Sequence, residues 1–230
     1  MNNLKGVGVA LVTPFNEDLS VDFDSLTRLI EYNIENGTNY LVVLGTTAEA
    51  ATLSKEEKKE VIKHVIKINS KRLPLVLGIG GNNTLEVKKQ IEETDLSDFD
   101  AVLSVSPYYN KPNQEGLYQH YKALAETGKQ IIIYNVPGRT GQNIEAATTV
   151  RLAKEFPNLF MIKEACPNIN QYFDILRTKP EGFSLVSGDD EYALPVTLAG
   201  GDGVISVIGQ GYPKEFSTML QLAFEGKIKE

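Results

Sequence analysis

Cysteine, histidine and long apolar runs are scarce in this sequence, and each scarcity removes a class of chemistry. Cys166 is the only cysteine, so no internal disulfide can form, and a reducing cytoplasm is the simplest compartment. The two histidines, His64 in "VIKHVIKI" and His120 in "LYQHYKAL", sit in helical patterns and cannot build a cluster of imidazole zinc ligands. No apolar run approaches the length of a membrane-spanning helix. The opening "MNNLKGVGVALV" lacks the charged, apolar and cleavable plan of a signal peptide. Basic blocks are absent and the formal net charge is −7, which makes nucleic acid and anionic membranes poor partners. Any chemistry must use Lys, Tyr, Thr, Arg or carboxylates.

What is present is a rhythm. With 42% hydrophobic and 23% charged residues, the 230 residues suit one globular domain spanning 1–230 with a large core. Short apolar runs alternate with amphipathic stretches from end to end. "VGVALVTPF", "NYLVVLGTT", "LPLVLGIGG", "DAVLSVSPYY", "KQIIIYNVPGRTG", "LFMIKEA", "GFSLVSGDD" and "DGVISVIGQG" read as strands. They are continuous rather than alternating, as parallel strands covered on both faces should be. Helical patterns follow each one. In the first, Leu26, Leu29, Ile30 and Ile34 share a face and Gly37 marks the stop. Ser54 and Glu57 form a capping box at the head of the second, and Asn83 with Glu86 occupies the same positions at the third. Eight βα units close naturally into a (β/α)8 TIM barrel; a doubly wound sheet is the alternative.

In such a barrel the chemistry sits at the C-terminal strand ends. Reading those ends collects Thr13, Gly45, Thr46, Thr47, Ser106, Tyr108, Tyr109, Tyr134, Asn135, Arg139, Lys163, Glu164, Gly188, Asp189 and Asp190, with Ile205 to Gly209 in the eighth unit. The set has no metal-ligand spacing, and it implies no metal and no cofactor. A lysine at an apolar barrel mouth is desolvated, which lowers its pKa and exposes a nucleophilic amine. Such an amine forms a Schiff base with a ketone or aldehyde, and the iminium then acts as an electron sink. Tyr134 can move the protons, the Gly45–Thr47 amides can hold a carboxylate, and Arg139 can hold another in bidentate fashion. Plainer readings stand beside these. Lys163 can be a surface charge or the partner of Glu164, and "SGDD" before "EYAL" looks like a helix cap. "GIGG" lacks the dinucleotide spacing, and "GQGYP" has no basic partner for a phosphate.

Six stretches, "ALVTPF", "GTTAEA", "SVSPYYNKPNQEGLYQHY", "YNVPGRTG", "IKEA" and "SGDD", occur in order across nearly the whole chain. Together they closely resemble the dihydrodipicolinate synthase family. The resemblance implies a cofactor-free (β/α)8 enzyme that condenses pyruvate with L-aspartate 4-semialdehyde in the diaminopimelate and lysine pathway. It implies Lys163 as the Schiff-base lysine and Tyr134 as the proton-relaying tyrosine. Thr46 would link Tyr134 to Tyr109, which a neighbouring subunit supplies. Thr47 would bind the pyruvate carboxylate and Arg139 that of the semialdehyde, with the backbone at Gly188 and Ile205 lining the site. Asn82, Glu86 and Tyr108 match effector positions. The same resemblance implies a homotetramer built from tight dimers.

Arg139 separates this reading from the sialic-acid lyase branch of the superfamily, where the matching arginine is lacking, and places the synthase above a lyase or keto-deoxy-sugar aldolase. A non-catalytic barrel that only holds ligand is the alternative from another class. Ala48 and Ala50 depart from the family's usual "TTGES". Lys55 and Lys58 stand near positions where lysine-inhibited members carry histidine, and would repel a cationic effector. The family also continues into a further C-terminal helical region, whereas this sequence ends at "GKIKE"; that region is expected to be missing here.

Overall fold

The structure is a computed structural model that describes residues 4–229. Among these residues, eight parallel strands pair each with the next, and the last returns to the first. They are β1 (Gly6–Ala10), β2 (Tyr40–Val43), β3 (Leu75–Gly78), β4 (Ala101–Val105), β5 (Ile131–Asn135), β6 (Leu159–Glu164), β7 (Ser184–Ser187) and β8 (Gly203–Ser206). Around them run α1 (Phe23–Glu35), α2 (Lys55–Asn69), α3 (Thr84–Glu93), α4 (Gln114–Ala125), α5 (Pro137–Thr140), α6 (Ala146–Glu155), α7 (Ile169–Thr178), α8 (Ala193–Leu198) and α9 (Pro213–Phe224). The barrel is closed, so the doubly wound alternative falls.

Alternation along each strand splits the apolar residues into two cores. Tyr40, Val42, Val76, Leu103, Ile132, Met161, Val186 and Ile205 fill the barrel. Leu41, Val43, Leu77, Val102, Ile133, Ile162 and Val204 face outward against the helices. This double demand explains the continuous apolar runs, since each fully buried Val, Leu or Ile contributes about 1.5–3 kcal/mol. The helices meet it with one apolar face each. In α1, Leu26 and Ile30 are fully buried while Leu29 and Ile34 pack at the margin. The Ser54/Glu57 capping box is formed in both directions, at 3.1 and 2.7 Å. At α3 the cap is one-sided: the Asn83 side chain accepts from the Leu85 and Glu86 amides.

The fifth apolar run is shorter than the sequence suggests. After Asn135 the chain leaves the sheet and turns into α5, with Pro137 in its first turn and Gly141 at φ +71° as its cap. Pro137 has no amide to give a ladder and is preset for a helix start. That short helix carries Arg139. No helix among the described residues is long and apolar enough to cross a membrane.

The β1–β8 seam that closes the barrel contains one very close backbone contact. Gly203 pairs with Gly6 across the β1–β8 seam. It lies at φ +130°, and a Cβ there would sit 2.0 Å from the Gly6 carbonyl oxygen. Gly203→Ala should therefore cost about 3 kcal/mol or more, combining backbone strain with a clash that cannot relax. Gly182→Ala is the control, because Gly182 is at φ +82° with nothing within 4 Å of its virtual Cβ; it should lose only about 1 kcal/mol. Urea midpoints of the two variants check this, and equal losses would remove the seam as the cause.

Candidate active site

Tyr134 and Lys163 are direct partners across β5 and β6, and the next pair up is Asn135 and Glu164. Lys163 shares its face with Met161 and Ala165, and Tyr134 shares its face with Ile132 and Val136, all inside the barrel. The Lys163 ammonium nitrogen lies 4.5 Å from the centroid of the Tyr134 ring. Both side chains are buried, Lys163 at 3% and Tyr134 at 4% exposure. Gly188, just past β7, makes room for them. A Cβ there would lie 3.0 Å from Lys163 Cε and 2.7 Å from Ala165 Cβ, so any side chain would push the lysine aside.

The Tyr134 hydroxyl shares a 3.4 Å hydrogen bond with Thr46 Oγ1. Thr46 opens a single 3-10 turn, Thr46–Ala48, beyond the end of β2. The turn is presented by Leu44, buried at φ +55°, a conformation costing a branched residue about 1–2 kcal/mol. Thr13, past the end of β1, anchors the same turn by donating 2.8 Å to the Ala48 carbonyl. Three strands thus converge on one hydroxyl–phenol–amine line. Thr47 lies half-buried on the turn, and Arg139 is exposed on α5.

Burial governs the titration of this line. Desolvation drives the Lys163 amine down to about 8; the Asp190 and Asp189 carboxylates oppose that shift and the Arg139 guanidinium adds to it. Desolvation also raises the Tyr134 phenol, against the Thr46 hydrogen bond and Arg139. At neutral pH the tyrosine therefore holds its proton, while a usable fraction of the lysine is neutral amine. A neutral amine beside a phenol can add to a carbonyl and pass the protons that the addition releases.

Two sequence readings are corrected here. Glu164 does not pair with Lys163, because adjacent residues of a strand point to opposite faces; its carboxylate turns outward to Asn135, Gln171 and the Cys166 amide. Asp190 does not cap the helix that follows it. Its carboxylate accepts from the Val207 and Ile208 amides at 3.1 and 3.0 Å and from the Ser206 hydroxyl, which pins the turn after Ile205. Asp189 makes no side-chain cap either and remains a half-buried counter-charge to Lys163. The helical pattern of the short following segment suggests a cap for these aspartates, and it points to the wrong backbone amides.

Other expected residues lie apart from this line. Tyr109 is 88% exposed at φ +73°, on the loop after β4. Tyr108 is 40% exposed beside it. Asn82 precedes α3, where its carbonyl accepts from Asn110 at 3.2 Å, and Glu86 is exposed in the first turn of that helix. No group of three or more His, Cys, Asp and Glu side chains able to hold a metal occurs among the described residues.

Comparison with known proteins gives the family of the chain. The dihydrodipicolinate synthetase family matches residues 3–230. A 4-hydroxy-tetrahydrodipicolinate synthase of Flavobacterium psychrophilum is 57% identical over 98% of this chain and 77% of its own. A crystal structure of dihydrodipicolinate synthase from Aquifex aeolicus superposes with a TM-score of 0.92 at 40% identity, covering 98% of this chain and 77% of the other. The chloride-inhibited enzyme of Acinetobacter baumannii, solved in complex with pyruvate, superposes equally well at 0.92 with 45% identity, over 97% and 77% of the two chains. On sequence and on fold alike, the chain belongs to the dihydrodipicolinate synthetase family.

Proposed function

We propose that this barrel condenses pyruvate with L-aspartate 4-semialdehyde to give 4-hydroxy-tetrahydrodipicolinate, a step of diaminopimelate and lysine biosynthesis. The carrying observation is the desolvated Lys163 amine held over Tyr134 inside the barrel mouth. The amine adds to the pyruvate ketone, and the carbinolamine loses water to give an iminium. Loss of a methyl proton then gives an enamine, whose carbon attacks the semialdehyde's aldehyde. The product is a heterocycle, so the semialdehyde's own amine must displace the Lys163 nitrogen, closing the ring and freeing the lysine. Every proton in this sequence enters or leaves beside the Tyr134 hydroxyl, with Thr46 as its hydrogen-bond partner.

The remaining roles follow from place and charge. Thr47 and the Gly45–Thr47 amides take the pyruvate carboxylate at the head of the 3-10 turn. Arg139 takes the carboxylate of the semialdehyde, and the backbone at Gly188 and Ile205 lines the cavity. Tyr109 is too exposed to serve its own barrel and is offered to a second copy of the chain. This supports a homo-oligomer, at least a tight dimer. Asn82, Glu86 and Tyr108 mark the effector region, on loops that the Asn110 hydrogen bond ties together. The reading suits a cytoplasmic enzyme. The pyruvate complex of the Acinetobacter baumannii relative supports the choice of first substrate.

Borohydride reduction in the presence of pyruvate should leave a reduced pyruvyl adduct on Lys163, located by peptide mass mapping; a folded sample with no adduct would sink the reading. The adduct should form faster as pH rises and level off above about 8, because the protonated amine cannot attack and its folded-state value is lowered to about 8. Asp189→Asn removes a charge that holds the proton on Lys163, so this midpoint should move to lower pH. Arg139→Ala should keep the pyruvate adduct but lose about 100-fold in condensation with the semialdehyde, the scale of a lost charge-assisted pair. Loss of both together would mean that Arg139 does not act on the second substrate.

A further inference from the structure

Directly behind Lys163 and Tyr134 lies a second cross-strand pair that the proposed chemistry does not use. Asn135 and Glu164 are partners in the ladder, one residue on, and face outward beneath the helices. Both are fully buried. Asn135 Nδ2 donates to Glu164 Oε1 at 2.7 Å, and the Cys166 amide donates to the same oxygen at 2.8 Å. Gln171 Nε2, from α7, donates to Glu164 Oε2 at 2.9 Å.

Backbone groups fix the direction of this network. The Ile144 amide donates to Asn135 Oδ1 at 2.9 Å, so the Asn135 NH2 group must face Glu164. The Ile144 carbonyl accepts from Gln171 Nε2 at 3.0 Å, which fixes that amide too. Glu164 therefore meets only donors, an arrangement matched to a carboxylate and not to a carboxylic acid. All these hydrogen-bond partners are neutral, and a buried charge held only by neutral donors is a poor source of stability, for which apolar packing would serve as well. What it does supply is register. The β5–β6 pairing shifts between Ile131 and Ile132, below the site. Above such an irregularity the alignment must be fixed again, since a one-residue slip sends every side chain to the other face.

We propose that Glu164 is a positioning residue which, as an anion bonded to Asn135 and Gln171, locks β5 against β6 so that the Lys163 amine stays over Tyr134. This inference rests on the Schiff-base reading above. Other titratable groups that bear on Glu164 are Cys166 and Asp189 along the strand ends, Tyr172 on α7 and Tyr121 on α4. Burial lifts the Glu164 carboxyl to about 7, against the donors from Gln171, Asn135 and Cys166. As pH falls through that value the carboxyl gains a proton that points at an amide donor, and the lock loosens. Lys163 takes up its own proton around 8. Two independent protonations should therefore switch the site off.

The test follows the rate of Schiff-base formation with pyruvate from about pH 5 to pH 9, by timed quenching into borohydride and mass mapping of Lys163. On a logarithmic scale the wild-type rate should fall with slope one below about 8 and steepen to slope two below about 7. Glu164→Gln sets two NH2 groups against each other at Gln171. It should form the adduct about 10- to 100-fold more slowly on the alkaline plateau, the scale of a misplacement near 1 Å. Its half-saturation for pyruvate should change by less than about threefold, and its profile should keep slope one throughout. A merely structural role would lower the plateau and leave the two-step profile intact. A wild-type limb of slope one overturns the inference without any variant, so a failure of Glu164→Gln to fold does not protect it. A two-step profile retained in Glu164→Gln also overturns it. Absence of the adduct at every pH overturns the Schiff-base reading and this inference with it.

Discussion

Removing the Lys163 ammonium group from water is the constraint around which the site is arranged. Left alone, such a burial would strain the strand end and push the amine still further toward its neutral form. The structure settles at a middle position. Burial pulls the amine down, Asp190 and Asp189 pull it back, and the balance rests at about 8. Each of these carboxylates is itself held back from the lysine. Asp190 is committed to the Val207 and Ile208 amides, and Asp189 keeps partial access to solvent. A tight ion pair with either one would have held the proton on Lys163.

The closed sheet makes that balance possible. Parallel strands leave their C-terminal ends on one rim, so β1, β2, β5, β6, β7 and β8 each deliver one polar contact to the same small space. Packing at the rim is decided by absences as much as by side chains. Gly188 leaves the volume that the lysine stem occupies, and Leu44 accepts an unfavourable backbone angle to turn Thr46 toward the phenol. Strain and vacancy of this kind concentrate where chemistry is done.

Much of this was legible in the sequence, for identifiable reasons. Strand period and apolar continuity are local properties, so all eight strands and the Ser54/Glu57 cap could be read directly. A lysine closing the run "LFMIKEA" conflicts with its surroundings, and such conflicts mark functional sites. Less local facts were not legible. That Glu164 faces away from Lys163 follows from alternation, yet its side-chain partners Asn135 and Gln171 lie on β5 and α7, which only the folded chain brings to it. Asp190 misled because its true partners, Val207 and Ile208, are 17 and 18 residues away along the chain. The run "IIIYNVPGRTG" hid the exit at Pro137, where an absent amide outweighed the apolar pattern.

The glycine seam between β1 and β8 has a consequence outside catalysis. An open parallel sheet shows two rows of unpaired amides and carbonyls to its surroundings, and such rows recruit strands from other molecules. Here the backbone of Gly6 meets that of Gly203, and the ladder has neither a first nor a last strand. The barrel thereby conceals from its neighbours the groups through which sheet proteins aggregate. The seam that gives the rim its circular shape thus also removes the edges at which copies of the chain could pair.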